Sequence, residues 1–212
     1  TPRQEAIRWG CTPASEALKV AEEAAAATNE YAETPLHERV RQADLPYMFL
    51  LLRNRVDVNA KNKYGDTPLH VAAAAGKTAA FTEAKTAALK ALLQANANPN
   101  AANNIRLTPL HVAARDGHIE AITVLHLARA RVDIQDADGD TPLHMAARNG
   151  HSETITVLLH ARAKLNTPNN NRNTPLHEAA RGGHLDAIKR LLDGWADVKA
   201  VDNDGYTPLH FA

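Results

Sequence analysis

The chain has 212 residues, with 24 Lys and Arg against 24 Asp and Glu, so it carries no net charge while its 11 histidines are neutral. That balance argues against duplex nucleic acid as a partner, since such binders present a strongly basic face. No apolar run reaches the roughly 18 residues of a membrane span, and the single cysteine, Cys11, excludes an internal disulfide and fits a reducing compartment.

Taken from the N-terminus, residues 1–33 read as a degraded structural unit. Thr1 and Pro2 open it, and Gly10 falls in a slot that Gly76, Gly117, Gly150 and Gly183 occupy later. Cys11 reads there as a half-buried small side chain, and residues 16–27 form an Ala- and Glu-rich helical stretch. A four-residue word, Thr-Pro-Leu-His, begins at Thr34 and recurs at Thr67, Thr108, Thr141, Thr174 and Thr207. The steps are 33, 41, 33, 33 and 33 residues. A word returning at one period marks a repeat solenoid. Residues 1–212 therefore divide into a degraded unit (1–33), full units at 34–66, 67–107, 108–140, 141–173 and 174–206, and a truncated one at 207–212. The unit at 67–107 holds an insertion of eight residues between 77 and 92. Its composition is helical, and it predicts about two extra turns, roughly 12 Å.

The word is helix-start chemistry. Thr caps the first turn, Pro suits the first helical position, and Leu begins the buried stripe. The alanines that follow let neighbouring helices approach closely without loss of helix propensity. In the best-formed unit, Arg181-Gly182-Gly183 breaks the first helix. A second helix is predicted from His184 to Asp193, burying Leu185, Ile188, Leu191 and Leu192. Asp202-Asn203-Asp204-Gly205 is a turn. The second helix of the 34–66 unit, Leu45 to Leu52, is the most apolar, and Tyr47, Met48 and Phe49 are expected to be buried. Two short helices cannot bury an apolar stripe alone, so each unit stacks on the next. The composition, 44% hydrophobic but only 4% aromatic, suits thin layers of aliphatic side chains.

The chain resembles the ankyrin repeat family. The resemblance rests on the six words in register and on the Ala-Ala pairs (72–73, 113–114, 146–147, 179–180). It rests also on Gly117-His118, Gly150-His151 and Gly183-His184, on Leu158-Leu159 and Leu191-Leu192, and on tails such as Ala196-Asp197-Val198. It implies an all-α solenoid of about six and a half helix-turn-helix units joined by β-hairpin-like fingers. The chain departs from the family at slots where glycine is usual: Ala32, Arg106 and Arg172 in the fingers, and Arg55, Asn96, Arg129, Arg162 and Trp195 after the second helices. If those sites keep left-handed geometry, each departure costs on the order of 1 kcal/mol.

Several patterns imitate chemistry. Six histidines belong to the recurring word and three to Gly-His; repetition gives them one structural task, hydrogen bonding that ties finger to helix. His126 and His160 are expected at the surface. His177-Glu178 with His184 has the wrong spacing for a zinc helix. Gly76-Lys77-Thr78 lacks the first glycine of a phosphate loop. The turns at 136–139 and 202–205 lack the glutamate that closes a calcium loop. The sequence thus predicts no enzyme, cofactor or metal.

The resemblance implies that fingers and first helices line a concave face that binds another protein. Carried over by position, the finger tips place Tyr31, Tyr64, Asp66, Ile105, Leu107, Asp138, Asp140, Asn171, Asn173 and Tyr206 there. The residue after Ala-Ala adds Arg115, Arg148 and Arg181, an arginine ladder that Arg41 extends and Ala74 interrupts. Ile105 and Leu107, if exposed, make the best apolar anchor, because buried aromatic and arginine-rich clusters dominate recognition. The reading is a non-catalytic interaction module or scaffold, inside the cell and in the cytoplasm. It is expected as a monomeric array or joined to further domains, with the stack continuing beyond Ala212. A different class, the regulatory segment of an enzyme, channel or secreted effector, or an architectural spacer, would leave the same sequence signature.

Overall fold

The computed structural model describes residues 28–76 and 78–212. Gly10, Cys11 and the helical stretch expected at 16–27 lie outside the described residues. Ten α-helices form five pairs among the described residues: α1 (Pro35–Gln42) with α2 (Leu45–Arg53), α3 (Pro68–Ala73) with α4 (Ala79–Gln94), α5 (Pro109–Arg115) with α6 (Ile119–Leu127), α7 (Pro142–Arg148) with α8 (Ser152–His160), and α9 (Pro175–Arg181) with α10 (Leu185–Asp193). A 3-10 turn at Pro208–Phe211 follows. First helices pack on first helices of adjacent units and second helices on second helices, giving the two-layered solenoid that the repeat predicts.

Each first helix starts in the same way. Thr stands in extended conformation at the N-cap with Pro beside it, and Thr and His form a reciprocal capping box. In α5, the Nδ1 of His111 accepts from the Thr108 backbone N–H at 3.1 Å and lies 2.9 Å from its hydroxyl. With Nδ1 accepting, Nε2 carries the proton and donates to the carbonyl of the last residue of its own unit, Asp140 O, at 3.1 Å. The same bond runs from His37 to Asp66 O, His70 to Leu107 O, His144 to Asn173 O and His177 to Tyr206 O, at 2.9–3.1 Å. The recurring histidine therefore ties each first helix to the finger that closes its own unit and leads into the next. Burial pushes the ring of His111 down to about 4 and lowers those of His37, His70 and His144 as well. The Gly-His histidines run the other way. His151 and His184 donate from Nε2 to Arg115 O and Arg148 O, at 2.9 and 3.0 Å.

All the glycine-slot residues noted above are left-handed, with φ between 54° and 69°. At Arg55, Asn96, Arg129, Arg162 and Trp195 the cause is helix termination, whereas Ala32, Arg106 and Arg172 sit in the finger turns. After α6, Ala130 N–H donates to Leu125 O and Arg129 N–H to His126 O, the paired bonds of a Schellman motif, which forces the residue between helix and tail into positive φ. The insertion makes α4 the longest helix, 16 residues against nine in the other second helices, as a longer helix was expected to.

The core holds the word leucines (Leu36, Leu69, Leu110, Leu143, Leu176), the paired alanines, and second-helix residues such as Met48, Leu51, Ile122, Leu125, Ile155 and Leu158. Burial differs from expectation in three places. Phe49 is 47% exposed, because Met48 and Leu51 take the inward face of α2 and leave Phe49 to its flank. Leu185 and Leu192 are also exposed, because α10 is the last helix of its layer among the described residues and only Ala187 and Leu191 face back onto α8. His126 and His160 are exposed, as expected.

Candidate functional site

The fingers are built by one device. An Asn or Asp side-chain oxygen at 29, 62, 103, 136, 169 and 202 accepts two backbone N–H groups, two and four residues on. This closes each turn with its tip outward. Fingers are then tied in series. Lys63 N–H donates to Tyr31 O, Asn104 to Tyr64 O, Ala137 to Ile105 O, Asn170 to Asp138 O and Asn203 to Asn171 O, at 2.9–3.1 Å. The tips therefore form a rigid row. Burial raises the Asp136 carboxyl even though its oxygen accepts backbone N–H groups.

Between the fingers and the first helices run open grooves. The largest, about 510 Å³, gathers six of the residues expected at the site: Asp138, Asp140, Arg148, Asn171, Asn173 and Arg181. A second, about 420 Å³, holds Tyr31, Tyr64 and Asp66 beside Arg41 and Glu33. Tyr31 and Tyr64 stack with ring centres 6.5 Å apart, and the Lys63 ammonium sits 3.8 Å from the Tyr31 ring centre. A third, about 260 Å³, brings Arg41, Asp66, Leu107 and Arg115 together with Lys85. Ile105 and Tyr206 lie outside these grooves but are 57% and 49% exposed on their tips.

The arginine ladder is more committed than its spacing suggests. Arg148 bridges Asp140 at 2.6 Å and Glu178 at 2.9 Å, and both carboxylates are buried. Its hydrogen bond to Glu178 raises its pKa further. Arg181 reaches the other oxygen of Glu178 at 3.5 Å, and Arg41 pairs with Glu33. Arg115 pairs only with its neighbour Asp116, at 2.9 Å. Asp140 and Asn173 are buried as parts of this network, bonded to Arg148 and Arg181. Leu107 is also buried, at 9% exposure, so of the apolar pair only Ile105 stands exposed. Position explains the difference: Leu107 directly precedes the Thr108 N-cap and packs into the core, whereas Ile105 stands two residues earlier on the tip.

Sequence reasoning passed over Glu178, Lys85 and the Asn/Asp turn series. Glu178 fills a slot occupied by Val71, Val112 and Met145 in other units, and a charge in an apolar slot was the available sign. Lys85 stands at helical spacing with Leu89 and Leu92, which faces it inward. No group of three or more His, Cys, Asp or Glu is placed to hold a metal, and no helix is long and apolar enough to cross a membrane, among the described residues.

Comparison with known families gives three matches: ankyrin repeats (3 copies) over residues 77–169, and ankyrin repeats (many copies) over 158–212 and over 36–82. No curated protein matches the chain.

Proposed function

We propose, given that the chain belongs to the ankyrin repeat family, that it recognises a partner protein on the face made by its fingers and first helices. Members of this family are in general protein–protein interaction modules and typically not catalysts. The observation that supports this face is the set of exposed side chains on three of the fingers: Tyr64 and Ile105 on adjacent tips and Tyr206 on the last finger, each about half exposed. Tips tied in series by backbone hydrogen bonds need no ordering when a partner arrives, so little conformational entropy opposes binding. Tyr and a bulky aliphatic on a rigid base are suited to act as hot spots. Units at 34–66, 67–107, 108–140, 141–173 and 174–206 then present one surface, and we place the module inside the cell, as is usual for the family.

The test is affinity capture from source lysate with two baits, the native chain and a variant carrying Tyr64→Ala, Ile105→Ala and Tyr206→Ala. All three side chains are exposed, so circular dichroism is expected to be unchanged. The account predicts a protein held by the native bait and lost by the variant. Equal capture by both would move the site off this face. Arg148 is left intact because it ties two buried carboxylates, and its removal would confound binding with stability.

A further inference from the structure

The third groove differs from the largest one in a way that has the chemistry of a missing group. In the largest groove, Arg148 and Arg181 are bridged by the buried carboxylate of Glu178, a residue four positions after the unit's Thr. In the third groove the same position is apolar on both walls, Val71 and Val112. Cations are nevertheless gathered there. Arg41 and Arg115 line it from the first helices. The ladder's absent rung at Ala74 is made good from the other layer. α3 ends at Ala73, Ala74 turns extended, and the lengthened α4 brings Lys85 into the space.

Lys85 is only 7% exposed, yet it has no hydrogen-bond or ion-pair partner among the described residues; its ammonium lies 5.7 Å from the Phe81 ring centre. The nearby anions are engaged elsewhere: Glu33 with Arg41, Asp116 with Arg115, and Asp66 with the side-chain amide of Asn103 at 2.8 Å. His70 donates from Nε2 to a carbonyl. A lysine so far withdrawn from water with no ion pair is unfavourable, and burial, with the charge of Arg41, lowers the pKa of Lys85. The lining of this space of about 260 Å³ thus holds three cations, Arg41, Lys85 and Arg115, against one carboxylate, Asp66.

We propose that this pocket receives the carboxylate of an Asp or Glu side chain from the partner, held by Lys85 with Arg41 and Arg115 on either side. The carboxylate takes the place that Glu178 fills internally in the largest groove. This rests on the finger and first-helix face being the recognition face. It assigns the insertion a role: the extra turns of α4 carry the cation that makes the site selective for an acidic side chain. Charge-assisted hydrogen bonds of this kind are the stronger ones.

The test is NMR titration of the labelled chain with N-acetyl-L-glutamate amide, N-acetyl-L-glutamine amide and inorganic phosphate in parallel. The glutamate analogue is expected to shift the Lys85 ε-CH2 signals and the Ala74 and Arg115 amides saturably, with roughly millimolar affinity. The neutral amide should leave them in place, and phosphate should bind more weakly. Lys85→Met should abolish the amide shifts. Val71→Glu, which supplies the carboxylate from within, should block the analogue and itself move the Lys85 signals. Equal shifts with the neutral amide, persistence in Lys85→Met, tighter binding of phosphate, or no saturable shift with the glutamate analogue would each overturn the assignment. Partner capture separates the two claims. Retention by Lys85→Met with loss by the Tyr64, Ile105 and Tyr206 variant would end the pocket's role and leave the face standing. Retention by both variants would end the face.

Discussion

Acid should loosen the solenoid through its histidines, well above the pH at which most carboxylates protonate. His111 shows the magnitude. Its ring is buried, accepts at Nδ1 and donates at Nε2, and its pKa falls from 6.5 to about 4. The native state therefore resists a proton that the unfolded chain accepts. The resulting stability is complete above pH 6.5, is lost as pH falls from there, and stops changing below about 4. At pH 5 the unfolded ring is almost wholly protonated and the native ring about one-tenth so. The ratio is about 1.5 log units, or about 2 kcal/mol at 1.36 kcal/mol per unit. His37, His70 and His144 shift in the same direction and add to the effect. Asp136, raised by burial, works with the opposite sign, so a variant comparison isolates the imidazole. Urea unfolding of the native chain and of His111→Gln, followed by circular dichroism from pH 8 to pH 5, reads the term directly. The native advantage over the variant should shrink by about 2 kcal/mol between pH 7 and pH 5. A gap that stays constant across that range would refute the reasoning.

Arg129→Gly and Arg162→Gly should each stabilise by about 0.5–1 kcal/mol in urea titrations, because both residues are left-handed and Gly carries no penalty there; a loss would show that their side chains do more than the backbone suffers. Gly139→Ala should be distinctly worse than Gly205→Ala in thermal melts. The new Cβ at 139 would stand 2.6 and 2.7 Å from Asn170 atoms, whereas at 205 it meets nothing within 4 Å and only the left-handed backbone is strained. Arg148→Met should destabilise by roughly 1–3 kcal/mol, less than for a fully buried pair because the arginine is partly exposed. Adding Glu178→Gln should recover part of that loss, and a second loss of equal size would argue that the pair is uncoupled.

What the sequence made legible follows from how local each cause is. Thr-Pro-Leu-His encodes its own cap, start and first buried residue within four positions, so register, helix order and the tie between histidine and finger could all be read from spacing. The left-handed slots were legible for the same reason, since a helix end followed by a turn fixes φ whatever residue is present. Burial at the edges was less legible. Phe49 and Leu192 have the right type and spacing for a core, but their neighbours in space decide whether they are covered. The finger face was legible as a set of positions and not as a set of roles. Asp140, Asn173 and Arg148 match the binding positions, yet buried ion pairs and hydrogen bonds to the adjoining unit use up their polar atoms. Such pairings join residues of adjoining units, from 8 to 29 positions apart, and the stacking of units brings them together. The insertion could be sized from the period, but Lys85 gains its meaning from Ala74 and Val71, which lie in a different helix.

The most direct measurement of the central claim is site-specific photocrosslinking in source lysate. The photoreactive residue would replace Tyr64 or Ile105 on the finger tips in one pair of proteins, and His126 or His160 on the second helices in another; all four are exposed. The account predicts crosslinks to one discrete partner protein from the finger positions and none to it from the second helices. Crosslinks to a partner from His126 or His160 alone would contradict it.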